Sequence, residues 1–220
     1  MITINNASKS FRHKQLFDDL NFELQQNSVT VLLGENGAGK STLMNCIAGL
    51  ESFSNGSCLI DGQTMTMKQL QQIIGYVPQE IALWEHLTVE QNIQFFKKLK
   101  KGSISQKQIE NYCELLNLVD LKQPVEQLSG GTKRKANLLI GILHEPKLLI
   151  LDEPTVGIDL KSRYDIHKLI RHLREQCTIF MTTHHLDEVE AVSDAIYIMG
   201  KDPFYEEVLK EKNQPFAKIG

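Results

Sequence analysis

The stretch GENGAGKST, residues 34–42, sets Gly34, Gly39, Lys40 and Ser41 in the order G-x-x-x-x-G-K-[ST]. That spacing has a chemical reason. Glycines let the backbone wrap closely enough to aim its N–H groups at phosphate oxygens, a lysine matches the charge of terminal phosphates, and a hydroxyl supplies a ligand for magnesium. Gly34, Glu35, Asn36, Gly37, Ala38, Gly39, Lys40, Ser41 and Thr42 are therefore the candidate cradle for a nucleotide's phosphates. Further on, LLILDEP ends an apolar run in two acids. Asp152 at a strand tip suits a metal partner of Ser41, and Glu153 is placed to orient and deprotonate a water. Alone, two such acids could equally close a strand and cap the next element.

A second phosphate-like feature is harder to explain. In LSGGTKRK, residues 128–135, a serine and two glycines open a segment that runs into the apolar ANLLIGIL. This reads as a helix start, and helix N-termini attract anions through free N–H groups and a partial positive charge. One chain with a complete phosphate loop has no evident use for an incomplete one. Lys133, Arg134 and Lys135 read as a solvated helix face with two of the three in water, and so does the run KKLKK at 97–101. His184 and His185 in MTTHHLDE lie in an extended segment, where neighbours face opposite ways. A metal site from His184, His185, Asp187 and Glu188 is the competing reading, and it lacks a proper ligand spacing.

These residues need elements to hold them. Short, continuous apolar runs at 29–33, 147–152, 178–183 and 195–199 read as strands buried on both faces, as in a parallel sheet. A helix pattern succeeds the phosphate loop in TLMNCIAGL. Another runs through DLKSRYDIHKLIRHLREQ, with Ile166, Leu169, Ile170 and Leu173 on one face, and the acidic LDEVEAV comes after the histidines. Strand and helix alternate, so the class is α/β. The N-terminal part alternates polar and apolar residues between turns, which predicts a small antiparallel sheet. From Thr88 to Gln127 the pattern is helical, with capping boxes at Thr88/Gln91 and Ser105/Gln108. The expectation is one domain over 1–220 with a helical lobe at about 85–135 inserted in it.

Composition narrows the classes. Of 220 residues 41% are apolar and 23% charged, an ordinary globular balance. A net charge of -3 lacks the basicity of a nucleic-acid binder, so no nucleic acid is expected. No apolar run reaches the roughly 18 to 20 residues of a bilayer span. MITINNASKS has no basic-then-apolar leader pattern, so the expectation is a soluble chain that is not exported. Cys46, Cys58, Cys113 and Cys177 are scattered without C-x-x-C spacing, which fits reduced, mostly buried thiols.

With GENGAGKST, LSGGT and LLILDEP in this order, the chain resembles the ATP-binding-cassette (ABC) ATPases, the motor subunits of ABC transporters, over about residues 1–200. The resemblance implies a P-loop NTPase core with a mainly parallel sheet, an N-terminal antiparallel β subdomain and an inserted helical subdomain. It implies ATP and Mg2+ as ligands and ATP hydrolysis coupled to transport. Gln79 in GYVPQE corresponds to the Q-loop at the magnesium shell, and Asp159 after Gly157 and Ile158 to the D-loop; an N-cap is the plain alternative for Asp159. His184 matches the switch histidine at the γ-phosphate. Catalysis then rests on Glu153, His184 and Gln79, and the metal on Ser41, Gln79 and Asp152. The resemblance also gives LSGGT a use: in a two-fold dimer, Ser129, Gly130 and Gly131 complete the partner's nucleotide site. It further implies a homodimer or heterodimer of ATPase subunits, a separate transmembrane permease, and a place on the cytoplasmic face of the cell membrane.

Departures from the family pattern matter too. Thr132 stands where the commonest signature has glutamine, and LSGGTKRK looks closest to exporter-type (ABC-2-like) cassettes. Phe11, rather than the frequent tyrosine, is the candidate for stacking on adenine; a core aromatic is the alternative. The family's glycine-bearing hairpin after AIYIM is not evident in residues 200–220. Two other function classes fit less well. Cassettes of DNA repair carry long coiled-coil insertions and those of translation carry tandem cassettes, neither of which appears here. A P-loop GTPase would need an N-K-x-D motif, which is absent.

Overall fold

The computed structural model describes residues 1–12, 14–99 and 102–219. Among the described residues, ten strands form two sheets. β1 (Ile2–Phe11), β2 (Lys14–Leu24), β4 (Asn55–Ile60) and β5 (Gln63–Thr64) make an antiparallel sheet in the order β2-β1-β4-β5. The others are β3 (Val29–Leu33), β6 (Ile74–Val77), β7 (Leu148–Leu151), β8 (Thr178–Thr182), β9 (Ala195–Met199) and β10 (Ala217–Ile219). They pair in parallel in the order β10-β9-β3-β8-β7-β6.

The apolar runs explain the layering. Successive strand residues point to opposite faces. Val29, Val31, Leu33, Leu149, Leu151, Ile179 and Met181 join one apolar cluster, and Leu32, Leu148, Ile150 and Phe180 join the other. The second cluster also takes Ile4, Leu20 and Phe22 of the antiparallel sheet with Leu43, Met44 and Ile47 of α1 (Lys40–Ile47). α2 (Met67–Ile73) lies in the connection from β5 to β6. The first cluster is covered by α3 (Val89–Leu99), α4 (Gln106–Leu115), α5 (Gly130–Ile142), α6 (Leu160–Leu173) and α7 (Leu186–Val192). Because all six parallel strands run one way, their carboxyl ends share one edge, where ligands of such sheets bind.

Both capping boxes form. Thr88 and Gln91 exchange bonds of 2.9 and 3.1 Å ahead of α3, and Ser105 and Gln108 exchange bonds of 3.0 and 3.3 Å ahead of α4. The span 85–135 holds α3, α4 and the first part of α5, which continues to Ile142.

The basic run after the signature departs from expectation. Arg134 and Lys135 are 7% and 6% exposed, not solvated. Lys135 Nζ lies 2.6 Å from Asp165 Oδ2 on α6, and Arg134 donates to the carbonyl of Gln79. The helix can bury two cations because each meets a carboxylate or carbonyl from elsewhere in the fold. Of KKLKK, Lys97 is half-buried and Lys98 exposed, while residues 100 and 101 lie outside the described residues.

After β9 the chain forms α8 (Phe204–Glu211) and returns as β10 beside β9, in parallel. Glu206 ties this segment together, accepting from Lys210 and Lys218, which hold its carboxyl down at about 2. Burial pushes the Cys46 and Cys113 thiols up to about 11 and those of Cys58 and Cys177 up to about 12, so all four are protonated at neutral pH. No helix among the described residues is long and apolar enough to cross a membrane.

Candidate functional site

The phosphate loop leaves β3 at Leu33 and enters α1 at Lys40. A side chain at Gly34 would place its Cβ 2.1 Å from the Met199 carbonyl oxygen, and Gly39 has a φ of 102° at the helix N-cap, so both positions require glycine. Lys40 is buried, and its Nζ donates to the carbonyls of Gly34 at 2.7 Å and Glu35 at 2.9 Å. Burial lowers the Lys40 pKa; the charges of Glu153, Asp152 and Glu35 oppose that shift. The ammonium is thus held inside the loop by carbonyls and faced by acids. Together with Asn36, Gly37, Gly39, Ser41 and Thr42, it lines a cavity of about 230 Å³ that Leu16, Gln79 and Glu153 close.

The expected catalytic residues come from three strand ends: Gln79 and Glu153 line this cavity, and His184 reaches Glu153 from the side. Asp152 and Glu153 come directly after β7, while Gln79 and His184 stand two residues beyond the ends of β6 and β8. Glu153 is folded back into the left-handed region at φ 46°, a conformation that a non-glycine residue adopts only when its surroundings enforce it. Gln79 Nε2 lies 3.3 Å from Glu153 Oε2, and His184 Nδ1 lies 3.4 Å from Glu153 Oε1. The Glu153 side chain is 13% exposed and that of His184 42%, so the histidine faces a wider cavity of about 630 Å³. Glu35, Asn36, Gln79 and Glu153 also line it.

Asp152 sits behind this cluster, 5% exposed, accepting the Thr182 hydroxyl at 2.6 Å. Thr182 also accepts the Glu153 N–H at 3.0 Å, so one threonine fixes both acids. Sequence reading misses it, although the TT pair ahead of the histidines is a visible signal. It also misses Arg134, whose bond to Gln79 fixes the loop bearing that amide, and Leu16 at the cavity wall. Asp202, Phe204 and Tyr205 of the C-terminal segment border the wider cavity. Ser41, Gln79 and Asp152 offer a hydroxyl, an amide and a carboxylate. These are the hard oxygen donors magnesium takes, so the residues fit that ion.

The two histidines do not face apart. The chain bends at His184, and the rings meet with centroids 4.1 Å apart. The alternation expected of an extended segment fails because the strand ends at Thr182. Asp187 pairs with Arg163 at 2.8 Å and Glu188 is buried against threonines, and no group of three or more histidine, cysteine or acidic side chains among the described residues is arranged to hold a metal ion.

The signature lies elsewhere. Ser129 caps α5, its hydroxyl accepting the Thr132 N–H at 3.1 Å. Ser129 and Gly130 are exposed, and Gly131 packs so tightly that a Cβ there would meet Ser162 Oγ at 2.2 Å. None of residues 128–132 lines either cavity. Asp159 is the N-cap of α6, accepting from Ser162 N–H at 2.9 Å and its hydroxyl at 2.7 Å. Those bonds hold its carboxyl below the usual range. Phe11 is half-exposed under the Lys9 ammonium, 4.8 Å from the ring centroid, and lines neither cavity.

Comparison with known proteins gives consistent results. The profile described as ABC transporter matches residues 17–156. The linearmycin resistance ATP-binding protein LnrL of Bacillus subtilis is 37% identical over 206 residues, covering 90% of this chain and 66% of the relative. The sulfate/thiosulfate import ATP-binding protein CysA of Gloeobacter violaceus is 38% identical over 207 residues, covering 91% and 60%. This chain therefore spans less than two thirds of the length of these curated relatives. Among solved structures, the dimeric post-hydrolysis state of an ATP-binding cassette bound to ADP and Pi superposes with a TM-score of 0.79. Its identity is 21%, with 90% of this chain and 94% of that one covered, a likeness of fold.

Proposed function

The chain belongs to the ABC transporter family of ATP-binding cassettes, and we propose that it binds MgATP, dimerises with ATP between two copies, and hydrolyses it to drive a separate membrane permease. The observation that carries this is the convergence of Gln79, Glu153 and His184 on the mouth of the phosphate loop, while the capped, exposed helix end at Ser129 lies outside that cavity. Loop N–H groups and Lys40 bind the β and γ phosphates. Glu153 takes a proton from the attacking water, Gln79 orients the carboxylate, and His184 contacts the γ-phosphate. Magnesium, held by Ser41, Gln79 and Asp152, would offset phosphate charge. Ser129, Gly130 and Gly131 of one copy close the site of the other. Because ATP then binds the closed dimer better than the open pair, its binding and hydrolysis can move an attached partner.

Fully buried Asn92 holds the Trp84 backbone on both sides, at 2.9 and 3.1 Å, so the half-exposed indole stands on a fixed base beside Phe95. This aromatic ridge comes after the Gln79 loop in sequence, and its chemistry suits the permease. Export is the direction we propose, supported by LSGGTKRK and by the likeness to LnrL; the equal likeness to an import protein makes transport into or out of reconstituted vesicles the deciding measurement.

Lys40→Ala tests the loop. Losing a buried ammonium from two phosphates removes charge-assisted bonds of about 1.5–3 kcal/mol, or roughly ten- to a hundredfold in affinity. Titration of the purified variant with ATP should show that weakening, and unchanged affinity would refute the assignment.

A further inference from the structure

Behind the Glu153 and His184 cluster lies a carboxylate that the mechanism does not use. Glu188, on α7, is 0% exposed. An ionised carboxylate so deep must be compensated. One oxygen accepts the Thr155 hydroxyl and the other the Thr183 hydroxyl. Arg163 Nε and His167 Nε2 on α6 approach to 3.8 and 3.6 Å, and neither atom makes a hydrogen bond among the described residues. The two hydroxyls belong to significant places. Thr155 is two residues past Glu153, on the segment leading to Asp159. Thr183 immediately precedes His184.

Thr183 does more than satisfy Glu188. A hydroxyl donates one bond and accepts others, and Thr183 Oγ1 also accepts the His185 N–H at 3.0 Å. The backbone is therefore held on both sides of His184 through one hydroxyl that Glu188 orients. Its neighbour Thr182 fixes Asp152 and the Glu153 N–H, so consecutive threonines serve the two halves of the site. We propose that Glu188 is a positioning residue: through Thr155 and Thr183 it sets the His184 loop against the Glu153 segment. The proposal rests on the reading that Glu153 and His184 act on ATP. A purely structural Glu188, pinning α7 to α6, is the alternative.

Thr183→Val removes the hydroxyl at nearly constant volume, and Thr183→Ser keeps it. Misplacement of a reacting group by an ångström costs up to about a hundredfold. The expected result for Thr183→Val is a kcat lowered roughly ten- to a hundredfold with KM for ATP unchanged, the signature of a contact realised in the transition state. Thr183→Ser should restore kcat. In a His184→Ala background Thr183→Val should add nothing, because both act through one side chain. Glu188→Gln, which perturbs Thr155 as well, should show a kcat-only loss with unchanged KM, and serves if the valine variant does not fold. A Thr183→Val loss that multiplies with His184→Ala, or a folded Thr183→Val with wild-type kcat, would overturn the proposal alone. A wild-type chain unable to hydrolyse ATP in its assembled dimer would overturn the functional reading and this proposal with it.

Discussion

Glu153→Gln is expected to bind ATP as well as the parent chain while turning it over at least about a hundredfold more slowly, the scale for losing a general base. Several features of the site make this a clean substitution. Glutamine keeps the shape and one oxygen, so the 3.3 Å contact with Gln79 can be re-formed by an amide pair and the φ of 46° is unaffected. What disappears is the capacity to take a proton. Affinity should not fall, because binding rests on the loop N–H groups and Lys40. Glu153 is also the strongest charge acting on Lys40, and an acid facing the phosphates opposes their entry. Removing it should leave binding unchanged or tighter. The variant should therefore accumulate as an ATP-bound dimer, visible by size-exclusion chromatography with ATP and absent with ADP. Steady-state hydrolysis at the wild-type rate would remove Glu153 from the role.

The sequence could locate these residues because their signals are local. A strand followed by a glycine loop and a helix is legible from spacing, and so is a serine three residues before the amide it caps; Ser129 does cap α5 at Thr132. Buried strands announce themselves as apolar runs because neighbours cover both faces, and β9 occupies residues 195–199 as expected. Charge burial is different. Whether Lys135 lies in water is decided by Asp165, thirty residues away and on another helix, and nothing in TKRK carries that information. The orientation of His184 and His185 escapes sequence reading for a related reason. Alternation is a property of strands, and the strand stops before the pair. The C-terminal segment is legible only as a departure. Its parallel return beside β9 depends on sheet pairing, which has no signature in PFAKIG.

Mixing two inactive variants separates a shared site from a self-contained one. Ser129→Arg places a long cation on the exposed end of α5, and Lys40→Ala empties the phosphate loop. Each homodimer then carries one lesion in each of its two composite sites, and each should be crippled. In a heterodimer the lesions segregate: one site combines the arginine with the defective loop, and the other combines an intact loop with an intact helix end. Hydrolysis in the mixture should recover to a substantial fraction of wild type, up to about a quarter for random pairing if the two sites work independently and half the dimers are mixed. If instead residues 128–132 served the nucleotide of their own chain, every site would retain a lesion and the mixture would stay at the level of the separate variants. The geometry favours the first outcome, since Ser129 and Gly130 are exposed and line neither cavity at the loop. Two different tags, with sequential affinity capture, establish that chains have exchanged. Captured heterodimers without recovered activity would refute the shared site, and the helix end at Ser129 would then need another anion.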